Sequence, residues 1–421
     1  MLKLQYRLQG VAGTFILLAA AAAQAPQSPS PTQSTGPNPD TPSVPSAQAA
    51  PPVRGLGAVD LSGFLDGYYS YNANRPAGQI NSLYNFDDET DQFNLEAAKL
   101  TLNHDPAPAG AHLDLIFGRT NTLIHAADST LNYIEQAYIG IKPPKAHGFE
   151  LDFGQFATSA GAEVIETMSN WNYSHGLLFT YAIPYFHFGL RSSMPVTRSW
   201  TAGVQLVNGW NDVTSKNGGV TVGLTSGLVK PKYTWNVNYY GGPSNSGLPP
   251  GYYGAQNGCR NLIDSTLLLT PTAKFNAYVN YDYGQDRIPS YQSPSGATAR
   301  SMSPHWQGVA LAARRQMTPH AALAGRYEYL SDNQGYATGY GYSGDLLTSA
   351  GYFGEAVDEL TATYEYKWAA GLLVRAEYRV DWSNKDLFHY GNDVDYGGGA
   401  PTKSSQDTAT VGLIAFFGPR R

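Results

Sequence analysis

Apolar and polar residues alternate along most of this chain with a period of two, in segments of about ten residues running from Val59 to Phe417. In VDLSGFLDGYYSY, Val59, Leu61, Leu65 and Tyr69 share one parity, while Asp60, Ser62, Asp66 and Ser70 share the other. One face of such a strand suits lipid and the other suits water. The alternation returns in QFNLEAAKLTLNH and AHLDLIFGR, and the outward parity is clearest late in the chain. There it runs through Tyr233, Trp235, Val237 and Tyr239; Phe275, Ala277, Val279 and Tyr281; Leu372, Val374, Ala376 and Tyr378; and Val411, Leu413, Ala415 and Phe417.

The connectors between these segments alternate short and long. Short ones fall at residues 105–110, 142–147, 193–198, 227–232, 270–272, 316–320 and 367–371, nearly all with Pro or Gly. Long ones centre on residues 72–91, 120–131, 157–176, 208–217, 242–261, 284–303, 331–356 and 383–406, rich in Gly, Asn, Asp, Ser and Tyr. This rhythm predicts an all-β fold: a transmembrane antiparallel up-and-down β-barrel with short periplasmic turns and long extracellular loops. Both ends then lie inside and the strand number is even, about sixteen, with fourteen or eighteen also compatible. A barrel that wide holds an aqueous channel, whereas eight strands enclose mostly side chains.

No apolar run reaches the roughly eighteen residues of a membrane helix, which excludes helical spanning. Residues 1–25 carry Lys3 and Arg7, then VAGTFILLAAAAA, then small residues, the order of a secretory signal. Residues 26–57 are rich in Pro, Ser, Thr and Ala and predict a disordered periplasmic linker, leaving 58–421 as the barrel. Removing the signal takes the formal charge from -6 to about -8, so no basic footprint for nucleic acid exists. The single Cys259 forms no internal disulfide, and strand pairing must hold the fold.

The stretch NWNYSHGLLFTYAIPYFHFGLR at 170–191, with VDLSGFLDGYYSYN, NYIEQAYIGIK and ELDFGQF before it, resembles the β-barrel porin family described as OmpL-like. Its most specific piece is Trp171, Asn172, Tyr173 and Ser174 followed by Tyr181, Ala182, Pro184 and Tyr185, and the resemblance spans 58–421. It implies a pore for small hydrophilic solutes in the outer membrane of a Gram-negative-type bacterium, and it transfers no catalytic residue, ligand set or cofactor. The implied partners are outer-membrane lipids, lipopolysaccharide and the barrel-assembly machinery. Porins often form trimers, which leaves a homotrimer as an open expectation.

In general porins a long third loop folds inward and sets the narrowest point, with acidic residues facing a basic wall. The third long connector here carries Glu163 and Glu166, spaced so that one helical turn would present both carboxylates together. Opposite the lipid parity stand Arg375, Glu377, Arg379 and Asp381, then Arg326 and Glu328, with Arg191 closing the family-like stretch. These are candidate pore-lining residues, and the plainer reading is that they pair across strands and stiffen the wall. Trp171, Tyr173 and the tyrosines of 334–345 are candidates for a sugar path, although tyrosines are expected near any membrane interface.

Asp87, Asp88, Glu89 and Asp91, and later Asp393 and Asp395, offer oxygens but match no EF-hand, so no metal is assigned. The histidines are scattered, although His104 and His112 flank the first short turn. Ser174 and His175 are adjacent and lack an orienting acid, so they make no nucleophile pair, and no catalytic constellation is present. The leading reading is a passive-diffusion porin. A variant selects sugars or organic anions, favoured if loop three carries an aromatic track beside the arginines. The alternative is a structural or adhesive barrel with a plugged lumen.

Overall fold

A computed structural model describes residues 59–418 apart from 216–217, 244–257, 288–290, 293–297, 300, 302, 340–353 and 392–400. The expected leader and linker, Asp393 and Asp395, and part of the 334–345 loop therefore lie outside the described residues.

Sixteen strands close into one antiparallel barrel. In chain order they are β1 (Asp60–Asn72), β2 (Phe93–His104), β3 (Ala109–Phe117), β4 (Ile134–Ile141), β5 (Glu150–Ala157), β6 (Phe186–Thr197), β7 (Trp200–Val207), β8 (Thr221–Lys230), β9 (Tyr233–Pro243), β10 (Cys259–Thr272), β11 (Phe275–Arg287), β14 (His305–Gln316), β15 (Ala321–Asp332), β16 (Glu355–Ala369), β17 (Leu372–Ser383) and β18 (Ser405–Phe417). Two short strands, β12 (Tyr291–Gln292) and β13 (Thr298–Ala299), pair with each other in a loop outside the barrel. Each barrel strand pairs with its sequence neighbour in the barrel, and β1 pairs with β18 from Gly63↔Phe417 to Asn72↔Thr408, so the barrel sheet has no open edge. Among the described residues no helix is long and apolar enough to cross a membrane.

The predicted parity holds. Leu65, Tyr378, Val411, Leu413 and Phe417 are each more than half exposed and face outward, while Asp66 and Ser70 are buried inside. Inside, register lines side chains into rows. Arg326, Thr361, Arg379 and Thr408 stand abreast on β15–β18, and beside them run Glu328, Glu359, Asp381 and Gln406. The wall thus carries ordered bands of opposite charge.

All eight long connectors join strands at the same end of the barrel, but several turn edges move. Residues 193–197 continue β6 instead of forming a turn, because Pro195 pairs with Thr201 through an irregularity in the β6–β7 ladder. Residues 227–230 likewise belong to β8. The third loop extends to residue 185, beyond the predicted 176, since Leu178–Ala182 forms a π-helical turn between β5 and β6.

Candidate functional site

The third loop, residues 158–185, folds into the lumen, and the wall grips it mainly by its backbone. Arg375 on β17 donates to the carbonyl oxygens of Thr167 (2.6 Å), Asn170 (2.5 Å) and Asn172 (3.0 Å). Glu377, two residues on and therefore on the same face, accepts from the Tyr173 and Ser174 amides at 2.5 and 2.9 Å and from the Thr363 hydroxyl at 2.6 Å. Arg379 donates to the His175 carbonyl, Arg326 to the Ser174 carbonyl, and Glu328 accepts from the Leu178 amide. Such bonds to ionised groups are the strong class. They hold whatever side chains the loop carries.

Two wall glycines make room for the loop. A Cβ on Gly412 would collide with the Tyr173 ring, and one on Gly308 would collide with Leu178. Tyr173 fills the first gap, donating to Asp66 at 2.8 Å with its ring 5.8 Å from that of Tyr68.

The expected pairing of Glu163 with Glu166 on one helical turn is corrected. Residues 163–166 are not helical, and the two carboxylates serve different walls. Glu163 pairs with Arg326 at 2.5 Å and accepts from the Gly176 amide, whereas Glu166 pairs with Lys99 on β2. Arg326, Glu328, Arg375, Glu377 and Arg379 all face inward as expected, but all are buried between wall and loop. Arg326 bonds Glu359 through two nitrogens, and Arg379 pairs with Glu359 and Asp381. They secure the loop and meet little solvent. Tyr173 is 1% exposed and offers no face to a solute, while Trp171 packs 5.1 Å from the Tyr278 ring.

Arg191 alone of the predicted arginines borders open space. A cavity of about 130 Å³ lies between loop three and the wall of β2–β6, reaching the turn after β2. Glu163, Glu166, Ser169 and Tyr185 line it from the loop; Gln136, Tyr138, Asp152 and Arg191 line it from the wall. Arg191 bonds Asp152 at 2.7 Å and lies over the Tyr138 and Phe156 rings at 4.9 and 4.6 Å. His112 stacks on Tyr138 at 5.0 Å.

At the cavity's edge is a group that the sequence reading did not single out. The Lys99 ammonium sits 2.9 Å from Asp114, 2.9 Å from Glu135 and against Glu166. Among the described residues these three carboxylates form the group whose oxygens converge within 4.8 Å, and the ammonium occupies the place a metal would take. Alternation counted from the outward Phe93 and Leu95 would place Lys99 on the lipid face; it turns inward only because the pattern breaks at Glu96 and Ala97.

An apolar cluster packs against loop three inside the lumen. Phe86 of the first loop packs against His175, Phe179 and Tyr185 at 4.4, 5.7 and 5.3 Å, and Leu387 and Phe388 join the same cluster. His175 Nε2 meets the Val164 carbonyl at 2.9 Å, and burial holds its pKa below the ordinary histidine value. Asp87 beside Phe86 is pushed the other way, well above the usual carboxylate range, by burial and then by Glu96. Asp88 pairs with Arg119, His112 Nδ1 meets Asn103 Oδ1 at 2.9 Å, and the Ser174 hydroxyl faces Arg326.

A closed sixteen-stranded barrel with an apolar outer belt and a loop fastened across a charged lumen defines an outer-membrane channel of the porin type. Residues 58–417 match the family described as "Putative beta-barrel porin-2, OmpL-like", and the chain belongs to that family. Among solved structures it is similar to a loop L8 deletion mutant of OmpT from Vibrio cholerae, at 13% identity and TM-score 0.54, covering 85% of this chain and 99% of that one. It is also similar to the anion-selective porin from Comamonas acidovorans, at 11% identity and TM-score 0.54, covering 85% and 99%. The outer membrane channel DcaP of Acinetobacter baumannii matches at 13% identity and TM-score 0.51, covering 86% and 97%. No curated protein sequence matches the chain.

Proposed function

We propose that small hydrophilic solutes diffuse through this porin along the side of the lumen that loop three leaves open, past Arg191, Tyr138 and Gln136, and that the charged side chains of β15–β17 fix the bore by clamping the loop. The observation that carries this reading is the set of wall-to-backbone bonds from Arg375 and Glu377. In this assignment Arg326, Arg375 and Arg379 position the loop, and Arg191, Glu163 and Glu166 face the solute. Carboxylates outnumber the one arginine along the cavity, which favours neutral or cationic solutes over organic anions. No step requires a cofactor, an energy source or catalysis.

The proposed setting is the outer membrane, with residues 26–57 in the periplasm, lipid and lipopolysaccharide around the apolar belt, and assembly machinery acting during biogenesis. A homotrimer fits this setting, as in the trimer form of OmpT from Vibrio cholerae. Planar-bilayer recordings of the folded protein test the central claim: discrete conductance steps are expected. A folded but silent barrel would overturn it and favour a plugged, partner-binding barrel. The apolar cluster of Phe86, Phe179, Leu387 and Phe388 is the feature that supports that second reading.

A further inference from the structure

We infer that the cavity beside Glu166 is a binding station for small organic ammonium cations carrying N–H donors, with Glu166 as the residue that determines this preference. The inference rests on the diffusion route proposed above and names the solute class that route favours. Three carboxylates, Asp114, Glu135 and Glu166, already converge on one primary ammonium, that of Lys99. Two of the three are buried, and Glu166 is the member that reaches the cavity, its side chain 20% exposed.

Charge at the station is unbalanced. Three carboxylates face one ammonium, and His112, whose Nε2 lies 3.0 Å from Asp114, adds a positive charge only when protonated. Asp152 Oδ1, in a residue 6% exposed on the cavity wall, has no hydrogen-bond partner. Buried acceptors left unpaired in a low-dielectric site favour an incoming donor of positive charge. An alkylammonium in the cavity can take Glu166 as its acceptor while Lys99 keeps Asp114 and Glu135, so the exchange costs the protein one of the three ion pairs that Lys99 makes. A quaternary ammonium has the charge and lacks the N–H donors. That difference separates a built station from a generally acidic vestibule.

Bilayer recordings of the full folded protein test this with butane-1,4-diammonium and tetramethylammonium added on the side of the short turns. The expected results are a reversal potential of cation-preferring sign and block by the diammonium at a concentration about tenfold or more below that of tetramethylammonium. In Glu166→Gln the gap between the two blockers should close while conductance steps remain. Equal block by both cations in the unsubstituted protein, or anion preference, overturns the inference and leaves the diffusion route standing. Absence of any conductance from folded protein overturns the route and the inference together.

Discussion

Replacing Arg375 with methionine tests whether the wall sets the bore. Methionine keeps the length and apolar stem but removes every donor. Three carbonyls of loop three lose the arginine; those of Asn170 and Asn172 are left without a partner inside the protein, whereas Thr167 keeps the Asn170 amide at 3.1 Å. Glu365 is not orphaned, since Arg314 remains 2.8 Å away. The cost therefore falls on the loop and not on a stranded charge. At about 1 kcal/mol for each of these two unpaired buried carbonyls the docked loop loses about 2 kcal/mol. That shifts the ratio of docked to undocked loop by about thirtyfold. The barrel ladders do not involve this side chain, so Arg375→Met should fold, as its heat-dependent gel migration would show. In bilayers it should give larger steps and more current noise than the unsubstituted protein. Conductance and noise unchanged in a folded variant would refute the clamp.

Three further outcomes follow from the same geometry. His175 is held below its ordinary value of 6.5 by burial, so docking of the first and third loops is at full strength above about pH 6.5 and weakens as pH falls through it; current noise should rise towards pH 5, and His175→Gln should flatten the rise. Lys99→Met leaves Asp114, Glu135 and Glu166 facing one another without their cation, at a cost of about 3–5 kcal/mol, so thermal unfolding in detergent should come markedly earlier, and calcium should restore part of the loss while a chelator removes that gain. Gly412→Ala sets a methyl group against the Tyr173 ring, and about 1–3 kcal/mol of overpacking should appear as loop noise without loss of the barrel; identical traces would show that the ring has room to move.

Local chemistry explains what could be read in advance. Strand parity depends on neighbours two residues apart, and every strand of a membrane barrel must present an apolar outer face, so the belt and the rhythm of eight long loops are written in short windows. The turn edges failed where that window fails: Pro195 and Gly227 look like breakers, yet both sit inside strands, one at a ladder irregularity and the other beside Asn236. Loop three was cut short for a related reason. Its Leu177, Leu178 and Phe179 are as apolar as a lipid-facing strand, but they bury against Phe86 and Leu387 from other loops, a partner that alternation does not encode.

Roles within the lumen were less legible than positions. The candidate arginines and glutamates all point inward, as parity requires, but whether each meets solvent or backbone depends on register across four strands and on a loop some two hundred residues away in the chain, as the Arg375 bond to Thr167 illustrates. Lys99 shows the same limit more sharply. Its partners come from β3, β4 and loop three, and the irregularity at Asp114/Leu115 is what turns Glu135 toward it. Glu96 and Ala97 are both buried, so strict alternation breaks two residues before Lys99, beside the ladder irregularity at Asp66/Gly67. A cluster assembled across bulges and a folded-in loop has no period to detect. What the sequence did hold was indirect: glycines at the inward positions 308 and 412 leave gaps in the wall, and an apolar and aromatic run in loop three is what fills them.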